Sequence, residues 1–458
     1  MPPPRTNRHQ HASRVLLDMT ECGRTMAHLF DTAFHTIIYS AFVCVLDTPL
    51  LGTQDPTITM KHLVHAAVRR GVKVQMRINP SCAYGNRVED VEWLQSVGVD
   101  VCLVVGDGTI PPPFHRVFGP RYTNHHQKFL LVDDQRMMVG GTDVDAMRKG
   151  WMELNNHQPH PYCWHEVAVL IHGVSPSIAH WIRDPTATTV STPTPPYPFV
   201  AAQQEHDTMC RLIHGARTCV YMEAQVCIST SFTQNKVLKS VADRLVRAFY
   251  TPLDPFCFMM VVDVLPHDEH DVVKVVTAMA LRASIYSLVQ RVKAAGVART
   301  FIDERVVVAT MANDPQQTTT TSSSTVKVHS NIMVVDGHTM VRSSSNLTDR
   351  SLCATPCDNE LGVVVTGEPV AVALQQLWRR YFGIPSSSHT SSQHILPHQA
   401  FQMMTQNTGV MRKFPLGHTS SLNWVSHAVL SIVHPLPFFG RRTQVGWAHH
   451  TIPSSPPK

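Results

Sequence analysis

Charge is scarce in this chain: Asp, Glu, Lys and Arg make up only 16% of its 458 residues, and aromatic residues 7%. The formal net charge of +5 suits anionic partners such as lipid head groups or nucleic acid, but is too small to mark a basic groove. Its 28 His residues add positive charge in an acidic medium. No run reaches the ~18 consecutive apolar residues of a membrane span, and FHTIIYSAFVCVL at 34–46 reads as a buried strand. The opening MPPPRTNRHQH has no apolar stretch behind its basic residues, which argues against a secretory signal. Its early prolines also fit an amphipathic targeting helix poorly. The 11 Cys are odd in number and form no CxxC pair. Free thiols in a reducing, cytoplasmic compartment are therefore expected, with no zinc site. The His-rich HQPHPYCWH at 157–165 holds two prolines and reads as a loop rather than a metal centre.

What the chain does have is an internal repeat. HHQKFLLVDD at 125–134 and VHSNIMVVDG at 328–337 share a His, a polar residue two places on, an apolar run and an Asp. Upstream, AFHTIIYSAFV (33–43) matches GARTCVYMEAQVCIS (215–229), and KHLVHAAVRRGVKVQMRI (61–78) is set against YSLVQRVKAAGVARTFI (286–302), each read as helix, glycine, strand. A spacing of roughly 200 residues is too long for a solenoid. It predicts an α/β protein of two similar domains packed as a pseudo-dimer, each a mixed sheet flanked by helices. The expected boundaries are a disordered tail over 1–14, a first domain over 15–184 and a Pro/Thr-rich linker over 185–198. A second domain over 199–386 and a Ser/His/Pro-rich extension over 387–458 follow. The extension contains an apolar segment, 422–439, with a basic end at Arg441 and Arg442, read as a helix on the body or an interfacial lipid contact.

Side chains two apart in a strand share a face, so His126 and Lys128 are expected to point one way, as are His329 and Asn331. Two such strands side by side would gather two imidazoles and an ammonium, a set suited to a phosphodiester. His125 falls on the opposite face and reads as core or surface. Downstream come small-residue turns, Gly140–Gly141–Thr142–Asp143 and Ser343–Ser344–Ser345–Asn346. Each is followed by a carboxylate before an apolar strand, Glu166 in WHEVAVLI and Glu360 in NELGVVV. A carboxylate on the far nitrogen of a His fixes its tautomer and raises its basicity.

This constellation resembles the phospholipase D superfamily, whose signature is HxKxxxxD followed six residues later by GG or GS. His126, Lys128, Asp133, Gly140 and Gly141 fill the first copy. HHQK, GGTDVD and WHEVAVLIHG are similar to the eukaryotic and bacterial phospholipase D type, as are SSSNLTDRSL and YMEAQV in the second half. The resemblance covers about residues 15–385. It implies a phosphohistidine intermediate without metal or cofactor, with His126 as nucleophile and His329 as general acid, or the reverse. It further implies that Glu166 orients His126 and Glu360 orients His329. Lys128, Asn331, Ser344, Asn346, Gly141 and Asp143 would lie against the phosphate, although Asp143 stands where many relatives have Asn. Asp133 and Asp336, at an odd offset, look structural. His157 would border the pocket, and Trp164 reads as packing.

Two positions of the second copy depart from the signature: Asn331 replaces Lys, and Ser343 replaces Gly. Lys327, two residues before His329, is a candidate to replace the missing cation, its alternative being the end of a solvated loop. The expected activity is cleavage of a glycerophospholipid phosphodiester, phosphatidylcholine to phosphatidic acid by default, with water or an alcohol as acceptor. Cardiolipin synthase-like phosphatidyl transfer, a catalytically impaired lipid-binding pseudoenzyme and a nuclease are the alternatives. The expected setting is a monomer at a membrane surface, with no obligatory protein partner.

Overall fold

The computed structural model describes residues 13–53, 55, 57–79, 87–104, 125–140, 143–144, 149–150, 163–183, 197–199, 202–229, 233, 235–263, 272–311, 326–349, 351–352, 358–384 and 394–413. The first half runs β1 (Ser13–Leu17), α1 (Met19–Asp31), β2 (Thr36–Ala41), α2 (Met60–Arg69), β3 (Lys73–Ile78), α3 (Val88–Ser96) and β4 (Asp100–Leu103). It continues through β5 (Phe129–Val132), β6 (Arg136–Gly140), β7 (Lys149–Gly150), β8 (Cys163–His165), β9 (Val167–His172) and α4 (Pro176–Arg183). The second half runs β10 (Tyr197–Phe199), α5 (Ala202–Gly215), β11 (Cys219–Ala224), α6 (Val237–Tyr250), β12 (Cys257–Val262), α7 (Val272–Ala294), α8 (Arg299–Arg305) and β13 (Val306–Met311). It ends with β14 (Lys327–Val328), β15 (Ile332–Val335), β16 (Thr339–Ser343), β17 (Gly362–Thr366), α9 (Glu368–Tyr381), α10 (Pro397–Thr405) and β18 (Met411–Lys413).

Two large mixed sheets result, in the order β1-β9-β6-β5-β2-β3-β4 and β10-β17-β16-β15-β11-β12-β13-β18, beside a three-stranded parallel sheet, β14-β8-β7. Position by position the orders coincide, with β18 as an additional edge strand, so the expected pseudo-dimer of α/β halves is present. In each sheet the strand after the motif His (β5, β15) pairs antiparallel with the first parallel strand (β2, β11). Strands β12 and β13, CFMMVV and VVVATM, are apolar nearly throughout and buried along their whole length, as parallel strands covered on both faces require. A central apolar cluster joins the two sheets through Val15, Phe129, Val169, Tyr221, Met259 and Ile332, together with Trp181 of α4 and Trp378 of α9.

Three expectations change. The counterpart of α2–β3 is α6–β12, not 286–302. Helix–glycine–strand recurs here, with Gly71, Gly98 and Gly296 each ending a helix at positive φ (82°, 90° and 82°), so the pattern alone does not tell one unit from the next. The residues after Gly296 also form a helix first, α8, supported by the Arg299–Asp303 pair one turn apart, and the strand begins at Val306. Finally, the second half runs past residue 386: α10 buries Ala400, Phe401 and Met404 in the central cluster, and β18 pairs with β13. Most of the 185–198 linker and the apolar segment 422–439 lie outside the described residues, although Tyr197–Phe199 forms β10 against β17. Among the described residues no helix is long and apolar enough to cross a membrane.

Candidate active site

Both motif histidines lie on the seam between the halves, in the extended lead-in to β5 and β15 rather than within the strands. Each is pinned by the opposite half. The His126 N–H donates to the Asn359 carbonyl and the His329 N–H to the His165 carbonyl, both at 2.9 Å. The side chains cross the seam as well. His126 Nδ1 lies 2.9 and 3.0 Å from the two carboxylate oxygens of Glu360, and His329 Nδ1 lies 2.7 Å from Glu166 Oε2. The expected pairing, Glu166 with His126 and Glu360 with His329, is therefore reversed. Each carboxylate opens a strand that lies beside its own half's motif strands, and the seam brings it to the imidazole of the other half. In both rings, then, it is Nδ1 that meets the carboxylate of the opposite half.

The two carboxylates are held differently. Glu360 accepts from the hydroxyls of Ser344 (2.5 Å) and Ser351 (2.7 Å). Burial pushes its pKa up, but His126, the Lys128 ammonium and the Ser344 hydroxyl outweigh that and hold it below the usual range. Ser344 is thereby a support for Glu360, since its hydroxyl also accepts from the Leu361 N–H. Glu166 instead receives the guanidinium of Arg342, Nη2 to Oε1 at 2.7 Å, and the Val167 N–H at 3.0 Å. Arg342 is fully buried and donates also to the carbonyls of Val167, Ser343 and Asn331. It was not among the expected residues. The signal was available, because an Arg inside the apolar strand TMVRS is a charge that burial permits only with a partner.

Lys128 and Asn331 occupy matching places in the two halves and are held differently. The ammonium of Lys128, 1% exposed, donates to the His126 carbonyl at 3.0 Å and lies 3.8 Å from Asp143 Oδ2. Asp143 Oδ1 accepts from the N–H groups of Phe42 and Val43, which ties down the chain after β2. In the second half the matching pair is neutral: Asn331 Nδ2 donates to Asn346 Oδ1 at 3.3 Å, and Asn331 Oδ1 accepts from the Gln225 N–H at 3.0 Å. The first half thus holds an ion pair where the second holds an amide pair at the same two places. Asn331 sits at φ 39°, so strict alternation of faces ends there.

The other departure is also matched. Gly140 of β6 lies opposite Ala168 of β9, where an added Cβ would come within 2.4 Å of the Ala168 methyl. Ser343, at the equivalent place in β16, lies opposite Gly362. The small residue has moved to the neighbouring strand.

Lys327 places its ammonium 4.0 Å above the Trp164 ring, and that ring lies 4.9 Å from the imidazole of His329. Trp164 therefore meets the site as a wall of His329, and Lys327 borders it through the ring. Asp133 and Asp336 make the same kind of contact in the two halves. Asp133 accepts from the N–H groups of Phe34, His35 and Thr36, and Asp336 from those of Arg217, Thr218 and Cys219. His125 is buried against Ser40 Oγ at 2.7 Å, and burial pushes its pKa down to about 3. Gly141 and His157 lie outside the described residues. Among the described residues no group of three or more His, Cys, Asp or Glu is arranged to hold a metal ion.

Behind the histidines lies a buried polar knot that the sequence did not reveal. His165 Nε2 is 2.8 Å from Glu223 Oε2, and Tyr381 donates to Glu223 Oε1 at 2.5 Å. Tyr221 and Ser330 also donate to Glu223. Burial alone would raise the Glu223 pKa, but His165 and the hydroxyl donors bring it to about 2.

No family model and no curated protein matches the sequence. Among solved structures the chain is similar to phosphatidylserine synthase of Haemophilus influenzae Rd KW20, with a TM-score of 0.55 and 10% identity over 92% of this chain and 91% of that one. A polyphosphate kinase of Porphyromonas gingivalis aligns over 80% of this chain and 46% of its own, with a TM-score of 0.46 and 8% identity. The likeness to the synthase extends over nearly the whole of both chains and shows the shared fold, two α/β halves built alike.

Proposed function

We propose that the protein is a phosphodiesterase of the phospholipase D type, cleaving a glycerophospholipid and passing its phosphatidyl group to water or an alcohol. The observation that carries this reading is the crossed pair of His–carboxylate dyads, His126–Glu360 and His329–Glu166. A carboxylate on Nδ1 of each ring prepares two imidazoles to act through Nε2, which suits a double displacement at phosphorus. One ring attacks and the other protonates the departing oxygen; the second then takes the proton of the incoming water or alcohol. Lys128 supplies positive charge beside His126, and the amides of Asn331 and Asn346 offer uncharged polar contacts opposite it.

Transfer to an alcohol is supported alongside hydrolysis by the shared fold with a phosphatidylserine synthase. The nuclease reading has no support from charge, and the carboxylate kept on each of the two histidines weighs against a decayed pseudoenzyme. The test is phosphatidyl transfer. Vesicles of mixed phosphatidylcholine and phosphatidylglycerol are incubated with a primary alcohol and wild-type, His126→Ala or His329→Ala protein. Phosphatidyl-alcohol and phosphatidic acid formed by the wild type and lost in both variants is the expected result. Binding of the vesicles with no product from folded wild-type protein would return the pseudoenzyme reading.

A further inference from the structure

We infer that Glu205, on the first turn of α5, is a positioning residue for the His126–Glu360 dyad and acts on it through the serine turn 343–345. The inference rests on the phosphodiesterase reading and deepens it. Glu205 is 2% exposed, and the double displacement makes no use of its carboxyl group. A carboxyl buried to that degree is costly unless hydrogen bonds hold it there.

The contacts lead from Glu205 to the dyad in three steps. The Ser345 hydroxyl donates to Glu205 Oε2 at 2.9 Å, and the Ser343 side chain bonds to the same carboxyl. Ser343 Oγ in turn accepts from the Ser345 N–H at 2.9 Å, which closes the turn on itself. Ser344, between them, donates to Glu360 Oε2 at 2.5 Å and accepts from the Leu361 N–H at 3.0 Å. Alternate residues of one turn therefore serve two carboxyl groups. Ser343 and Ser345 meet Glu205, and Ser344 meets the Glu360 that lies against His126 Nδ1. All three serines are buried, where bulk water is a poor substitute for a lost partner.

Comparison of the two halves supports the role. A small cavity lies at the same place in each, lined by Met26, Leu130 and Gly140 in the first and by Met209, Met333 and Ser343 in the second. Strand register pairs Leu130 with Met138 and Met333 with Val341, so the two cavities correspond. Met26 of α1 thus answers to Met209 of α5, and one turn earlier Cys22 answers to Glu205. Where the first half has Gly140, Gly141 and Cys22, the second has Ser343, Ser344 and Glu205. The supports of the two dyads differ accordingly. Glu166 is held by the Arg342 guanidinium, Glu360 by hydroxyls, and the Glu205 carboxyl occurs in the half that carries those hydroxyls.

Among the described residues, the charged groups that face Glu205 include Arg342 of β16, Glu360 ahead of β17 and, across the cavity, Glu223 of β11. Burial pushes the Glu205 pKa up to about 7 against the two serine hydroxyls, with Glu360 adding to the rise and Arg342 opposing it. An uncharged carboxyl is therefore accessible near neutral pH, and its carbonyl oxygen still accepts from a hydroxyl. The role is one of shape and hydrogen bonding, for which glutamine is a fair replacement.

The test combines turnover of dispersed short-chain phospholipid with NMR of the histidine side chains. Glu205→Met should lower kcat by about 10–10²-fold with KM within about twofold, and Glu205→Gln should keep kcat within about threefold of wild type. Ser345→Ala removes the contact from the side of the turn, guards against a fold defect at Glu205, and should lower kcat in the same way. Ser344→Ala should do so too, and adding Glu205→Met to it should cost less than about threefold more, because both act through one link. Losses that multiply would overturn the route through Ser344. Unchanged kcat in folded Glu205→Met or Ser345→Ala protein would overturn the role, as would a loss in Glu205→Gln equal to that in Glu205→Met. Apart from turnover, ¹⁵N-labelled histidine should show the His126 Nδ1 proton as a downfield resonance, protected from exchange in the wild type and broadened in Glu205→Met. Protection that persists in the variant, or no such resonance in the wild type, would overturn the positioning role. Wild-type protein that shows the resonance and its loss in the variant, but no turnover, would sink the phosphodiesterase reading and leave the positioning of His126 standing.

Discussion

At the scale of single residues, the second motif teaches that a departure is read against its spatial partner. Asn331 alone looks like a lost lysine, but beside Asn346 it completes an amide pair where the first half has Lys128 and Asp143. Asn331→Lys is expected to destabilise the protein, because it introduces an ammonium at a buried position where Asn346 offers only a neutral amide. Adding Asn346→Asp should recover about 1–3 kcal/mol of coupling in a double-mutant cycle followed by denaturant unfolding. Additive effects would show that the two asparagines do not act as a unit. For Glu360, replacement by Gln leaves the shape and removes the charge on His126 Nδ1. The expected outcome is a fall in kcat of about 10²–10⁴-fold with KM little changed, measured on dispersed short-chain phospholipid. The histidines, Lys128 and both glutamates were legible in the sequence because type and spacing carry them. The crossing of glutamates to the opposite imidazoles was not, since it depends on how two separately patterned halves meet.

At the scale of elements, the strand pairs carry the same lesson in volume. Gly140→Ala would drive a methyl into that of Ala168 and should cost about 1–3 kcal/mol. Combining it with Ala168→Gly should return most of that stability in thermal unfolding, because β16 and β17 already use this arrangement with Ser343 and Gly362. The motif aspartates act on the same scale, each closing the turn before a parallel strand. Burial pushes the Asp336 carboxyl up, but the N–H groups of Thr218, Arg217 and Cys219 and the Thr218 hydroxyl bring it below the usual range. A carboxylate depressed in the folded state contributes stability above its unfolded pKa, and that contribution disappears as pH falls through the folded value. Asp336→Asn should therefore lower stability at neutral pH and flatten the loss of stability below about pH 4 in urea titrations. An acid limb unchanged in the variant would place that sensitivity elsewhere. Hydrophobic periodicity found the elements themselves, and missed the order of units in the second half because helix–glycine–strand occurs there more than once.

At the scale of the molecule, the seam is where the candidate site is assembled. Each half supplies one imidazole and the carboxylate for the other's, and the apolar cluster between the sheets is shared. The knot of His165, Glu223, Tyr221, Tyr381 and Ser330 spans that seam one residue from His329 and from Glu166. Glu223→Gln should weaken the docking of the halves and lower activity together with stability, in contrast to Glu360→Gln, which should spare stability by comparison. The repeat in the sequence foretold two halves, but the knot joins residues 58 and 158 positions apart that carry no shared pattern. Fold class was therefore readable from periodicity and repetition, and the contacts that couple the halves only from their packing.

The account stands most directly on the double displacement, and stereochemistry at phosphorus reads it in one measurement. A phospholipid analogue of defined configuration at a phosphorothioate centre, converted by the wild-type protein to its phosphatidyl-alcohol, would be analysed by phosphorus NMR. Two in-line displacements through a phosphohistidine predict overall retention of configuration. Inversion would mean a single direct attack by the acceptor, and would contradict a covalent intermediate on either histidine.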